Sequence, residues 1–382
     1  MSQTSPAASK APQADPEPAA ARPRLGKASI TQLADWEGGL REPSLTFTPG
    51  DARNTGLPDN SVDLIVTSPP YWNKRDYGHS DQIGQEPTAG AYVEAIMECL
   101  EEWKRVLRPH GSVFLNVGDT YYNKSLLGIP GHIEWEAVSK GGWLVRNRII
   151  WAKETGMPDP VQNRLANRHE YVIHLTYKPD YYYDLLGYSE EFGNGANPGD
   201  VWTINPERNM GQHLAPYPRE LVRRAIFLAG PEQVCAECRV PRRRVIERTA
   251  ELDPSRPQAK RAMELAQEHG LTPEHIRAIQ SFGVSDVGKA TKFQNGTGRN
   301  SAEVQRLAAE AKAVLGGYFR EFTFAKKRTV GWTDCGHNAP ARGLVLDPFA
   351  GTGTTLKAAI REGRDAIGVD LVPLMVQPEV GV

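Results

Sequence analysis

A chain of 382 residues can bury one large core or two smaller ones. Its 45 basic and 46 acidic side chains leave a net charge of -1, so binding to a polyanion would need a local basic patch rather than a global field. Four cysteines (Cys99, Cys235, Cys238 and Cys335) exclude a disulfide framework, and no apolar stretch approaches the roughly 20 residues that span a bilayer, so a reducing cytoplasm and no membrane partner are expected.

Residues 1–28 are rich in Ala, Pro, Ser and Gln without an apolar segment, and read as a disordered tail rather than a signal peptide. Phe47 to Asp51 predicts a short strand ending in a turn, and Val62 to Val66 a second strand. Tyr92, Ile96, Cys99, Leu100 and Trp103 fall on one face of a helix over Ala91 to Leu107, which Pro109-His110-Gly111 ends. Cys99 on that stripe reads as core, not as a reactive thiol. Further strands are expected at Ser112 to Val117, Val145 to Trp151 and Tyr171 to Tyr177, and a helix from about Arg219. After about Gln233 the character changes: Arg239, Arg242, Arg243, Arg244 and Arg248 crowd together, and helices follow with glycine stops at Gly270, Gly283 and Gly316. The last of these, from Ser301, carries Val304, Leu307, Ala308, Ala311 and Leu315, with Asn300 and Glu303 placed to form a capping box. Lys289 to Asn300 reads as a mobile basic loop. The simplest organisation is one α/β domain interrupted by a mainly helical, basic insertion: a catalytic half over 29–232, the insertion over 233–330, and a second half over 331–382.

Two loops carry chemistry. Thr67-Ser68-Pro69-Pro70-Tyr71-Trp72 follows the second strand. An exocyclic amine on a base is a poor nucleophile because its lone pair is delocalised into the ring. The Ser68 hydroxyl and Pro69 carbonyl can accept both amine hydrogens, consecutive prolines at 69 and 70 stiffen the loop, and Tyr71 or Trp72 can stack on the base. Taken alone, an ordinary strand-to-turn junction would read the same way. Asp347-Pro348-Phe349-Ala350-Gly351-Thr352-Gly353-Thr354-Thr355 follows the apolar run Leu344 to Leu346. Gly351 and Gly353 let a ligand approach the main chain at a helix amino end. No Gly-Lys-Ser/Thr follows, so this is not a phosphate-binding P-loop, and it departs from the dinucleotide spacing. Asp370, closing the next strand at Ala366 to Asp370, lies where α/β folds grip ribose hydroxyls, which favours an adenosine-containing cofactor. Together the loops suggest methyl transfer to a nucleic-acid base.

These residues resemble the amino-methylating DNA methyltransferases of the permuted β class, whose catalytic loop precedes the cofactor loop. The resemblance runs from about Leu57 to Leu371 and includes Val106 to Gly111, Ile149 to Lys153 and His213 to Pro218. It implies a Rossmann-like fold dependent on S-adenosylmethionine, and base flipping from double-stranded DNA. Ser68, Pro69, Pro70 and Tyr71 would hold the target amine and ring, with Asp119 orienting the Ser68 hydroxyl. Asp347, Phe349, Gly351, Gly353 and Thr354 would line the cofactor, with Asp370 on its ribose, Asp51 facing the adenine and His213 near the methionine end. Serine at the head of the motif is more typical of N4-cytosine enzymes; N6-adenine enzymes, usually headed by Asp or Asn, are the nearest rival, and a catalytically silent DNA-binding regulator is the rival of another class. A homodimer, which would close the cofactor pocket past Asp370, and a cognate restriction nuclease are the further partners considered.

Cys235, Cys238, Cys335 and His337 flank the insertion and form a structural zinc set, the first pair at ligand spacing; buried thiols and a surface histidine are the alternative. Such a site would fix a lobe expected to lack its own core. Arg239, Arg242 to Arg244, Lys289, Lys292, Arg299 and Lys326 to Arg328 are the candidate phosphate contacts.

Overall fold

The computed structural model describes residues 40–155, 161–206, 217–282 and 301–372. The amino-terminal tail, His213 and the Lys289 to Asn300 loop lie outside the described residues.

Strand β1 (Leu45–Pro49) leads to β2 (Val62–Thr67), which is buried along its whole length. Helix α1 (Ala89–Val106) starts where the Thr88 side chain accepts the Ala91 N–H at 3.1 Å, and it buries the predicted stripe. Cys99 is fully buried there, and burial pushes its thiol well up. The chain passes directly into β3 (Leu107–Val117), so Pro109, His110 and Gly111 lie inside a strand rather than at a helix stop. The reason is tertiary. Buried Asp63 of β2 binds Arg108 Nη1 at 2.6 Å and His110 Nε2 at 2.8 Å, drawing this segment into the sheet. Gly111 is needed there because a Cβ would lie 2.9 Å from the Asp63 carbonyl oxygen.

A small hairpin, β4 (Tyr121–Tyr122) with β5 (Ser125–Leu126), precedes α2 (Ile129–Ser139), β6 (Leu144–Ala152) and β7 (His169–Thr176). Then come α3 (Leu185–Phe192), β8 (Val201–Thr203) and α4 (Arg219–Ala229). The insertion contains β9 (Gln233–Cys235), β10 (Arg244–Arg248), α5 (Pro257–Glu268), α6 (Pro273–Phe282), α7 (Ala302–Leu315), a 3-10 stretch (Gly316–Phe324) and β11 (Lys327–Trp332). Strands β12 (Pro340–Arg342) and β13 (Leu344–Asp347), helix α8 (Thr354–Arg361) and β14 (Asp365–Asp370) complete the chain's described elements.

Eight strands form one sheet in the order β1-β14-β13-β2-β3-β7-β6-β8. Neighbours are parallel except at β7, which runs against both β3 and β6. Helices α1 and α2 cover one face with Ile96, Trp103 and Ile133; α3, α4 and α8 cover the other with Tyr188, Leu221, Ile226 and Leu356. Burial from both sides explains why β2 and β3 show no alternation of polar and apolar residues. From β13 the chain crosses through α8 to β14 on one side, and from β2 through α1 to β3 on the other. The carboxyl ends of β2 and β13 therefore flank the switch point where open α/β sheets form their ligand crevice.

The insertion differs from expectation in having a core of its own. Leu252, Ala259, Ile276, Ile279, Ala311, Leu315, Phe319 and Phe322 pack together among α5, α6, α7 and the 3-10 stretch. The cap of α7 also differs: Ser301 is the N-cap, and its hydroxyl accepts the Val304 N–H, while Glu303 pairs with Arg306. At the lobe's base, β10 pairs with β11 and β9 with β12, both antiparallel, so entering and leaving segments run side by side.

Candidate active site

Ser68 is the first residue beyond β2, and the register that sets Thr67 beside Leu115 brings Asn116 next to it. Asn116 is 1% exposed, and its Nδ2 donates to Ser68 Oγ at 3.3 Å, Tyr71 Oη at 2.8 Å and Glu170 Oε2 at 3.1 Å. The Ser68 hydroxyl points its own proton towards Tyr71 Oη, 3.4 Å away, which keeps its lone pairs for accepting. Tyr71 in turn donates to Glu170, which also binds Lys153 Nζ. Burial, and then the Glu170 carboxylate, hold the Tyr71 phenol well above its ordinary pKa, so it stays a neutral donor. The Tyr71 ring lies against Gly118, where a Cβ would come within 2.7 Å of Cε2. The Pro70 carbonyl accepts from Tyr92 Oη at 3.0 Å; among the described residues none donates to the Pro69 carbonyl.

Two expectations change. Asp119 does not orient Ser68: its carboxylate accepts the N–H groups of Thr120, Gly128 and Ile129 at 2.8, 3.0 and 3.1 Å and so ties down the entry to α2. By residue 119 the chain has left β3, and the amide that reaches Ser68 is Asn116. Trp72 is not free to stack on a base, because it is buried, donates to the Glu86 carbonyl at 2.9 Å and packs edge-on to Tyr122. Tyr71 has the part-exposed ring.

The second wall begins at Asp347. Its carboxylate is 1% exposed and accepts from Thr67 Oγ1 at 2.7 Å, Thr355 Oγ1 at 2.5 Å, the Phe349 N–H at 3.1 Å and Tyr217 Oη at 3.2 Å. Burial pushes its pKa up to about 6, with the hydrogen bonds acting against that rise. With four donors already in place, Asp347 is a fastener between the two loops rather than a cofactor contact, which corrects its expected role. Gly351 and Gly353 take φ of +48° and +75°, which favours glycine. Gly351 is exposed, and its N–H donates to Asp370 Oδ2 at 2.8 Å; Gly353 caps α8, whose first residue is Thr354. Phe349, part buried, meets Trp103 edge-on at 6.2 Å. Asp51 follows β1 at the same edge, next to Gly50, whose N–H donates to the Asp370 carbonyl at 2.9 Å. Burial opposes ionisation of Asp51, but hydrogen bonds and charge from Arg53, with Nη2 at 2.6 Å, hold its pKa below the usual value. Asp51 therefore reaches any ligand with its charge already paired.

The Thr67–Asp347 hydrogen bond joins two segments 280 positions apart and makes their loops adjacent walls of one crevice. Residues 62–232 and 337–377, together more than half the chain, match the DNA methylase family. The chain belongs to that family. It is 34% identical over 215 residues to the Type II methyltransferase M.Cfr9I of Citrobacter freundii, covering 48% of this chain and 71% of that one. With M.SmaI of Serratia marcescens the identity is 32% over 216 residues, covering 47% and 73%. The solved PvuII DNA methyltransferase (cytosine-N4-specific) is similar over 87% of this chain and 84% of that chain, at 14% identity and a TM-score of 0.49. By that family and its motif order the methylase is an amino-methylating DNA methyltransferase of the β class, with its Ser68 loop ahead of its glycine loop on a Rossmann-like α/β fold.

Sequence reading missed several residues of the methylase's crevice. Asn116 was legible only as the one polar side chain between Leu115 and Val117 of an otherwise apolar strand end, and Glu170 carried no signal at all. Lys153 and Tyr217 lie in stretches noted for their resemblance, without a role attached.

Away from the crevice, Cys235, Cys238, Cys335 and His337 come together, with their ligand atoms all within 4.8 Å of one another. Pairing of β9 with β12 brings them there, since Pro340 lies opposite Cys235. The expected phosphate contacts fare unevenly. Arg242 is buried near Asp334, Arg243 donates to the Tyr181 carbonyl at 2.8 Å, Arg244 pairs with Asp184 at 2.6 Å over the Trp332 ring, and Arg328 pairs with Glu247 at 2.7 Å. The first three fasten the lobe; Arg239, Lys326, Lys327 and Arg328 stay exposed, the last in a surface ion pair. Among the described residues no helix is long and apolar enough to cross a membrane.

Proposed function

We propose that the methylase moves a methyl group from S-adenosylmethionine directly to the exocyclic N4 of a cytosine that has been turned out of duplex DNA. The observation that carries this reading is the Thr67–Asp347 bond, which holds an amine-accepting loop against a glycine loop. Ser68 Oγ and the Pro69 carbonyl accept the two amine hydrogens, so the nitrogen lone pair turns out of the ring plane toward the second wall. Asn116 fixes the hydroxyl, and Tyr71 supplies the stacking face. Gly351 and Gly353 admit the cofactor to the main chain, and Asp370, whose Oδ2 accepts the Gly351 N–H and Oδ1 the Val372 N–H, keeps a lone pair on each oxygen for ribose hydroxyls. When bound, S-adenosylmethionine supplies an electrophilic methyl; the chain's residues contribute positioning, the term that dominates when two reactants are held in line. Extrusion costs a few kcal/mol, which phosphate contacts offset, so DNA affinity should fall with salt.

Serine rather than Asp or Asn at position 68 favours cytosine through the resemblance, in which serine is more typical of N4-cytosine enzymes and Asp or Asn of N6-adenine enzymes. Nucleoside analysis of DNA from cells expressing the methylase tests this: N4-methylcytosine is expected, and N6-methyladenine overturns it. Ser68→Ala should keep cofactor affinity and lower turnover by about 100-fold, the loss typical of one preorganised hydrogen-bonding group; undiminished turnover removes Ser68 from the mechanism.

The reading also includes a structural zinc ion at Cys235, Cys238, Cys335 and His337. Tetrahedral Zn–S and Zn–N bonds of about 2.3 and 2.05 Å set the S···N edge at roughly 3.6 Å. Cys235 Sγ and Cys335 Sγ lie 3.5 and 3.6 Å from His337 Nδ1, distances that suit ligands sharing a metal. Because the lobe has its own core, the ion's part is to hold the crossing of its two connections. Metal analysis should find about one zinc per chain, lost in Cys235→Ser; a folded, metal-free wild-type protein ends this idea.

A further inference from the structure

The mechanism so far leaves Lys153 and Glu170 unused, although both stand at the carboxyl edge of β2. Strand β6 runs parallel to β2 and ends at Ala152, while β7 enters from the same edge, with Glu170 opposite Trp151. Lys153 is the first residue beyond β6, and its main chain is fixed by an N–H donated to the Arg168 carbonyl at 2.8 Å. Its ammonium binds Glu170 Oε1 and lies 4.3 Å from the centre of the Trp151 ring. Glu170 divides its two oxygens: Oε1 takes Lys153, and Oε2 takes Tyr71 and Asn116. A hydrogen-bonded chain therefore runs from Ser68 through Tyr71 and Glu170 to Lys153. The side chains of Lys153 and Glu170 are only 20% and 18% exposed, so the pair is largely shielded from solvent.

We propose that Lys153, held in place by Glu170, reads the ring edge of the extruded base by donating to N3 and O2 of cytosine. The inference rests on the N4-cytosine reading and gives it a specificity residue. With the amine at Ser68 and the ring on Tyr71, the next group along the Watson–Crick edge is the ring nitrogen beside the amine-bearing carbon. On cytosine that acceptor is followed by a second, O2; on adenine N1 is followed only by a C–H. A compact ammonium with three donors can keep Glu170 on one and span both cytosine acceptors with the others. The donor is charged and partly desolvated, so a base lacking the acceptor leaves it unmatched, the arrangement that discriminates most strongly. Glu170 is a positioning residue here, setting Lys153 and Tyr71 relative to each other.

The test uses full-length methylase and duplexes carrying the sequence it methylates in expressing cells, with either cytosine or 3-deazacytosine, which keeps the amine and O2 but lacks N3, at the target. Wild-type kcat/KM should fall about 10- to 100-fold on the 3-deaza duplex, the range for a hydrogen bond to a charged group. Lys153→Met should show a similar loss on cytosine and little further loss on 3-deazacytosine, with cofactor affinity by calorimetry unchanged. Lys153→Gln, which keeps a polar head, serves if the methionine variant fails to bind cofactor. Wild-type rates in the folded variant, or losses that multiply when combined, overturn the assignment of Lys153. N6-methyladenine as the wild-type product instead overturns the reading beneath it.

Discussion

Gly118→Ala tests the geometry of the target pocket with one methyl group. Gly118 does not occupy the left-handed region, so the backbone accepts alanine, and the whole effect falls on the neighbour. The new Cβ would lie 2.7 Å from Cε2 and 2.9 Å from Cδ2 of Tyr71. Carbon atoms settle at about 3.5 Å or more, so the ring must retreat by roughly 0.8 Å. It cannot slide freely, because its hydroxyl is held by Asn116 at 2.8 Å and by Glu170, so the ring should tilt about that end. A misplacement near 1 Å in a positioning group lowers rates on the order of 100-fold, and overpacking of this kind destabilises by about 1–3 kcal/mol. Labelled-methyl transfer should therefore show kcat reduced about 10- to 100-fold, with cofactor affinity by calorimetry unchanged, since Gly351 and Asp370 lie on the other wall. A folded variant with kcat within about twofold of wild type would show that the Tyr71 ring does not set the pocket.

Asp347→Asn should reveal the buried carboxylate through pH. Its pKa is raised from 3.8 to about 6, so its contribution favours the fold at low pH and declines as pH rises through about 6. The full difference corresponds to ~3 kcal/mol, of which about 1 kcal/mol falls between pH 5 and 8. Urea titrations across that window should show the asparagine variant gaining on wild type as pH rises; a constant offset contradicts the raised pKa. Asp63→Asn strands Arg108 and His110, and removing one partner of a buried ionic group should destabilise by about 3–5 kcal/mol, read as a lower urea midpoint at pH 7. Asp63 itself has a lowered pKa, with burial outweighed by His110 and Arg108, so its contribution is present above the unfolded value of 3.8 and is lost as pH falls below it. An unaltered midpoint would mean the trio is solvated. Arg244→Ala, which removes the partner of Asp184, should loosen the lobe and weaken DNA binding while leaving cofactor affinity intact; lost cofactor binding would contradict the separation of lobe and crevice.

Much of the crevice was legible because its chemistry is local. Ser68 to Tyr71 and Phe349 to Gly353 are contiguous loops whose prolines and glycines announce special backbone, and each follows a mainly apolar strand that packs into the core. The helix stripe of α1 and the closing carboxylate Asp370 follow from periodicity and strand ends in the same way. What sequence order cannot carry is lateral pairing. Only the β2–β3 register places Asn116 rather than Asp119 beside Ser68, and only the antiparallel entry of β7 brings Glu170 to the edge where β6 leaves Lys153. Asp347 looked like a ligand because it heads the glycine loop, yet four neighbours from three separate segments consume its oxygens. The arginines at 242 to 244 looked like a DNA face until packing supplied Asp334, Tyr181 and Asp184 as partners. Local backbone demands are written in neighbouring residues, so the sequence by itself marked out the two loops that line the crevice. Which side chains point into them depends on strands distant in the chain lying side by side, and that only the tertiary structure decided.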